Sequence, residues 1–173
     1  MNDLLDDARK GDANALAELC ERYYPKILRY MRYRVNPATA EDLAGEVFVR
    51  VIREIEDQDG SFRAWIYRIA SNIVTDHYRY RNVRETEPMQ MQVENPNAKA
   101  PPAAVQREQD LRMAMEELTD DQQELIVLKF IEGCSTREVA EAMDRRQGAV
   151  RALQYRALKA LRETLENKGY EHE

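Results

Sequence analysis

Apolar residues at positions 13, 16, 17, 20, 24, 27, 28 and 31 recur at the three-and-four spacing that gathers them on one face of an α-helix. Pro25 lies inside that pattern and predicts a break or kink, with a new first turn starting at it. A second helix is predicted from about Ala38 to Ile55, with Leu43, Val47, Val51 and Ile55 as its apolar stripe. Gly45 sits within it and weakens it by roughly 1 kcal/mol relative to alanine. Gln58, Asp59, Gly60 and Ser61 read as a turn. A third helix follows in SFRAWIYRIASNIVTDHYRYR, residues 61–81, with Phe62, Trp65, Ile66, Ile69, Ile73 and Val74 facing inward.

The periodicity stops after Arg84. Residues 85–104 contain four of the six prolines (Pro88, Pro96, Pro101 and Pro102) among small and polar residues, the composition of a flexible linker. Helical pattern resumes near Val105. Thr119 with Gln122, and Ser135 with Glu138, have capping-box spacing. Asp144 with Gln147 repeats the theme, with either Asp144 or Arg146 as the cap. Between these signals ELIVLKFIEG reads as core, TREVAEAM as a short helix, and Gln147 to about Leu165 as a long one. A short helix, a tight turn and a longer helix make a helix-turn-helix. The expected fold is all-α: two small helical domains, 1–84 and 105–173, joined by the linker.

Composition narrows the chemistry. Six glycines and six prolines in 173 residues argue against an all-β fold with many tight turns. The two cysteines, Cys20 and Cys134, lack C-x-x-C spacing, and His77 and His172 stand apart from them and from each other. A disulfide framework, a metal site and a nucleophile–base constellation are therefore not expected, nor is any cofactor. Cys20 falls on an apolar face and reads as a small buried hydrophobe. The start, MNDLLDDARK, is no signal peptide, and the longest aliphatic run, residues 125–128, is far too short to span a bilayer. A cytoplasmic location is expected, with no membrane insertion.

The net charge of −6 conceals a separation. Residues 145–162 carry Arg145, Arg146, Arg151, Arg156, Lys159 and Arg162 and no acid, whereas 41–59 carry seven acids against Arg50 and Arg53. A basic stripe on a helix is the electrostatic footprint of phosphate binding. On the long last helix Val150, Leu153, Ala157 and Leu161 face inward. Gln147, Arg151, Gln154 and Tyr155 lie opposite, near its beginning, where a recognition helix touches base edges. Arginine grips guanine in two-pronged fashion and glutamine does so with adenine. Arg145 and Arg146, in the turn, are placed for backbone phosphates.

In 61–81 a second basic surface alternates with aromatics. Arg68, Asn72, Thr75 and Arg79 follow a four-three-four spacing, and Tyr78, Tyr80 and Arg81 come at the far end. Core packing accounts for Phe62, Trp65 and Ile69. It does not account for the alternation at 78–81, which suits unpaired bases stacked on rings with arginines on the backbone. Asp76 has a ready partner in Arg79 or in a neighbour on the same face.

The stretch FRAWIYRIASNIVTDHYR resembles the promoter-melting helix of sigma-70-family factors in the small extracytoplasmic-function group. GDANALAELCERYYPKIL is similar to that family's first helices, AEDLAGEVFVRVI to its polymerase-clamp helix, and LTDDQQELIVLKFIEGCSTREVAEAMDRRQGAVRALQYRALKALR to its C-terminal domain. Four segments agree in order, over nearly the whole chain except the linker and last residues. The resemblance implies a sigma region 2-like bundle and a region 4-like helix-turn-helix. Asp42, Leu43, Glu46, Phe48 and Val49 would dock core RNA polymerase on the β′ clamp helices, with the β subunit a further contact. Arg63, Trp65, Arg68, Asn72, Asp76, Tyr78, Arg79 and Arg81 would capture the minus-ten element as single strand, with a turned-out base held partly by the loop at 58–61. Arg145, Arg146, Gln147, Arg151, Gln154 and Tyr155 would read the minus-thirty-five duplex. The linker would thread toward the RNA exit path, and an anti-sigma factor is the further partner implied.

The family usually carries glutamine at Gly45 and proline at Thr119. Its recognition helix usually begins with serine and threonine and continues lysine-serine-arginine, where this chain has Arg146, Ala149 and Arg151-Ala152-Leu153. Promoter preference therefore does not transfer. The competing reading is a standalone helix-turn-helix regulator, which leaves the first block unexplained and would bind duplex DNA unaided. A protein-only helical adaptor leaves the arginine face unexplained.

Overall fold

The computed structural model describes residues 2–84 and 103–169, and among them every regular element is helical. The first block holds α1 (Asn2–Arg9), α2 (Ala13–Arg34), α3 (Pro37–Glu54) and α4 (Phe62–Arg84). The second holds α5 (Ala103–Met115), α6 (Asp120–Ile126), α7 (Thr136–Met143) and α8 (Gln147–Asn167). The linker expected at 85–104 lies outside the described residues, except that Ala103 and Ala104 open α5.

Local chemistry sets most of the boundaries. Asp12 caps α2, its side chain accepting from Ala15 N–H, and Asn36 caps α3 ahead of Pro37. Both predicted capping boxes form, Thr119 with Gln122 and Ser135 with Glu138. In the turn, Arg146 and not Asp144 is the N-cap of α8, and its side chain makes no cap bond. Asp144 instead ends α7 in the left-handed region at φ 55°, where a short polar side chain is tolerated.

The break expected at Pro25 does not occur: α2 runs unbroken through it. Tyr23, Ile27 and Tyr30 on both sides of the proline are buried, and that packing offsets a cost of about 3 kcal/mol. The carbonyl that loses its partner, four residues back, belongs to exposed Glu21. At the acidic start, Leu5 and Ala8 of α1 are buried against α2.

Between α6 and α7 the chain widens into a π-turn over Val127–Ile131, with Glu132 N–H donating to the Val127 carbonyl at 2.8 Å. The turn buries Val127 and Leu128 and leaves Phe130 exposed, so the ELIVLKFIEG run is only partly core. The two blocks are not separate bodies. One continuous apolar cluster includes residues of both, and α4 packs along α7.

Candidate nucleic-acid interface

The α3 face expected to dock polymerase divides by burial. Asp42, Glu46 and Val49 are exposed, whereas Leu43 and Phe48 are core. Ile52, one turn beyond Val49, is 55% exposed, and Tyr24 of α2 lies beside Phe48 with rings 5.7 Å apart. Ile52 and Tyr24 extend the face and were not singled out from sequence. The three-residue step from Val49 to Ile52 was the available signal. Gly45 is exposed, with open space in front of its Cα, so a longer side chain would fit there.

In α4, Ser61 Oγ accepts from Ala64 N–H and starts the helix. Phe62 is buried edge-on to Tyr23, at 5.0 Å, while Trp65 is only half-buried. Trp65, Arg68, Asn72, Asp76 and Arg79 share one face by their three-and-four spacing. Asn72, Asp76 and Arg79 are exposed on it. Tyr78 departs from the expectation: its hydroxyl donates to the Arg34 carbonyl, which fixes the half-buried ring against α2. Tyr80 is the exposed tyrosine at this end, at 57%, and Arg81 is half-buried.

The helix-turn-helix presents Gln147, Arg151 and Tyr155 to solvent, with Gln154 half-buried beside them. Arg146 is exposed. Arg145 is tied to Asp121 of α6, so it braces the turn as well as facing outward.

Arg63 and Arg68 reach toward α7 and its C-cap, although Arg68 stays half exposed at 51%. Arg63 donates to the Glu132 carbonyl and sits 3.8 Å from Glu138, and Arg68 lies 3.7 Å from Asp144. Asp59, Ser61, Trp65 and Arg68 from the first block and Asp144, Arg146 and Gln147 from the second line one cleft of about 790 Å³. Below it, buried carboxylates of the second block insert into the first. Glu132 receives Arg29 through two bonds of 2.8 Å and the Tyr67 hydroxyl at 2.8 Å. Glu124 receives the Tyr30 hydroxyl and lies 3.1 Å from Arg34 Nε, both partners of that ion pair 4% exposed. Arg34 also donates to Gln123 Oε1 at 2.9 Å.

Burial pushes the Glu124 carboxyl up, against the opposing pull of Arg34 and the hydroxyl of Tyr30. Burial likewise raises the phenols of Tyr30 and Tyr67, which keeps both as donors at neutral pH. A buried ion pair roughly breaks even against its desolvation, so the Arg34–Glu124 pair adds little net stability to the packing of the two blocks.

Cys20 and Cys134 are free thiols, and burial pushes the Cys134 thiol up to about 11. No helix among the described residues is long and apolar enough to cross a membrane.

Residues 19–84 match the family described as Sigma-70 region 2, and residues 108–161 match Sigma-70, region 4. The ECF RNA polymerase sigma factor BldN of Streptomyces coelicolor is 36% identical over 169 residues, covering 93% of this chain; the chain spans 64% of BldN's length. The ECF RNA polymerase sigma factor SigD of Mycobacterium tuberculosis is 33% identical over 175 residues, covering 94% of this chain and 82% of SigD. A solved structure of CnrH in complex with the cytosolic domain of CnrY shares the fold, with a TM-score of 0.75 and 24% identity over 95% of this chain and 96% of that one.

Proposed function

The chain belongs to the extracytoplasmic-function group of the sigma-70 family, and from that premise we propose that it directs bacterial RNA polymerase to a specific set of promoters and opens them. It works by binding energy and catalyses no covalent step. The observation that carries this reading is the pairing of two unlike basic surfaces in one chain. α8 offers exposed Gln147 and Arg151 for duplex readout, and α4 offers Trp65, Arg68, Asn72 and Arg79 for a separated strand. The exposed acids Asp42 and Glu46, beside Val49 and Ile52, supply the polymerase-docking face. The match over region 2 sets aside a standalone helix-turn-helix regulator.

Length decides how the surfaces are used. Elements named for positions minus ten and minus thirty-five are about 25 base pairs apart, or about 85 Å at ~3.4 Å per pair. A compact chain of this size is only about 40 Å across. Both readers therefore cannot engage a promoter while the two blocks stay packed together. The closed packing is the resting form, and docking on polymerase separates the blocks. It acts in the cytoplasm, where polymerase and DNA are. An anti-sigma factor is a further partner; the solved relative CnrH is in complex with the cytosolic domain of CnrY.

Run-off transcription with purified core polymerase across a promoter library tests the reading. Transcripts should need both components and come from a subset of promoters. Replacing Asp42 and Glu46 with lysine should abolish the complex with core. Specific duplex binding by the chain alone, with no effect on polymerase, would overturn the assignment.

A further inference from the structure

The loop at 58–61 joins the 3₁₀ turn Ile55–Asp57 to α4 and forms one lip of the cleft beside Trp65. Four residues with a glycine at φ +73° would sample many shapes if left alone. Here they are held. Gln58 is buried, at 6% exposure, and its amide NH₂ donates to the carbonyls of Asp59, at 2.7 Å, and Gly60, at 3.1 Å. What points the amide that way is Arg9 of α1. Its Nε donates to Gln58 Oε1 at 3.0 Å, its Nη2 donates to the same oxygen, and Nη2 also reaches the Gly60 carbonyl at 3.3 Å. The guanidinium is in turn steadied by Asp6, 3.2 Å away on the same helix.

We propose that Arg9 is a positioning residue for base selection: it fixes the loop at 58–61 in the one shape that discriminates an unpaired promoter base. The proposal rests on the reading that this loop receives such a base. Its physical core is preorganisation. With the Asp59 and Gly60 carbonyls engaged internally, the polar side chains among the loop residues that line the cleft are those of Asp59 and Ser61. Asp59 Oδ1 accepts from Gly60 N–H at 2.8 Å, and Ser61 Oγ accepts from Ala64 N–H at 3.2 Å, so each reading side chain is itself anchored by one atom. Discrimination between bases depends on leaving the wrong base's polar groups unpaired, and a loop free to re-form would simply adapt to each base.

Arginine is suited to this task where lysine is not. Its planar fork sends two N–H groups to one carbonyl oxygen and still reaches a second acceptor, whereas an ammonium is a single point donor cluster on a mobile stem. The residue also comes from outside the matched region: α1 ends at Arg9, and the Sigma-70 region 2 match begins at residue 19.

The test uses holoenzyme assembled from the full chain and core polymerase. Binding is measured to fork-junction DNAs in which each unpaired minus-ten base is varied in turn. Arg9→Ala and Gln58→Ala should each flatten the preference at one position by about tenfold, leaving core affinity and the other positions within about twofold. The double variant should lose no more than either single one, and Arg9→Lys should recover part of the preference. An unchanged profile, or an equal fall at every position, would overturn the proposal, the latter marking a merely structural role. Asp59→Ala and Ser61→Ala separate the two layers. If they flatten the preference and Arg9→Ala does not, the role of Arg9 fails alone; if they too leave it intact, the loop receives no base and the underlying reading fails.

Discussion

Arg29 of α2 and Glu132 of the second block, 103 positions apart in the chain, meet through two parallel hydrogen bonds of 2.8 Å. Arg29 is half exposed and Glu132 has no exposed side-chain surface, so solvent sees the cation and not the anion that holds it. The Tyr67 hydroxyl completes the carboxylate's set of donors. Glu132 is thus the point at which the second block is keyed to both α2 and α4.

Glu132→Ala removes that key. The change leaves a buried phenol without its acceptor and should cost about 2 kcal/mol in urea denaturation. A donor–acceptor dye pair on α3 and α8 should report wider separation in the variant than in the unaltered chain. Unchanged transfer efficiency would show that closure does not depend on this residue.

Cys134 offers an independent readout of closure. It is buried, and burial is the chief cause that pushes its thiol up to about 11. Only the thiolate reacts, so at about pH 8 roughly one molecule in a thousand is competent. Alkylation followed by peptide mass spectrometry should find Cys134 slow. Its rate should rise about tenfold per pH unit below that value, and rise again in Glu132→Ala. Fast alkylation of the unaltered chain at neutral pH would contradict the buried placement.

Glu124 links closure to pH. Its folded-state carboxyl lies above the ordinary value of 4.5, chiefly through burial. The folded chain therefore holds this proton more tightly than the unfolded one. The stabilisation is fully present below about 4.5 and is lost as pH rises through the raised value. The stability of the unaltered chain relative to Glu124→Gln should consequently increase as pH falls across that window. Parallel curves for the two proteins would rule the effect out.

The recognition helix makes a separable prediction. Arg151→Ala should cost about 1–3 kcal/mol at one base pair of the upstream element and relax specificity there, with affinity for core polymerase unchanged. Arg146→Ala should weaken all sequences alike and reduce the salt slope by about one. Competition binding of holoenzyme to upstream-element variants at several salt concentrations distinguishes the two.

Local rules were the most legible part of this chain. Thr119 with Gln122 and Ser135 with Glu138 form the boxes that their spacing announces, because a cap is satisfied within four residues. α1 was missed because two buried side chains, Leu5 and Ala8, give too short a pattern among acids. Pro25 misled because proline's local penalty was outweighed by tertiary packing of Tyr23, Ile27 and Tyr30. Periodicity gave no sign of the partners these side chains meet: Arg63 donates to the Glu132 carbonyl, and half-exposed Arg68 lies near Asp144. Glu124 and Glu132, set at either end of an apolar run, were the visible hint that this run meets partners from elsewhere in the chain.

The π-turn at Val127–Ile131 gives that keyed contact an evolutionary fragility. One residue beyond the regular helical count advances everything after it by about 100° around the axis. A version of the gene lacking a single codon there would rewind the segment and swing the carboxylate of Glu132 away from Arg29 and Tyr67. Whether the two blocks of such a chain pack shut or stand permanently ajar would then be decided by three nucleotides, with no amino acid of α4 or α8 altered.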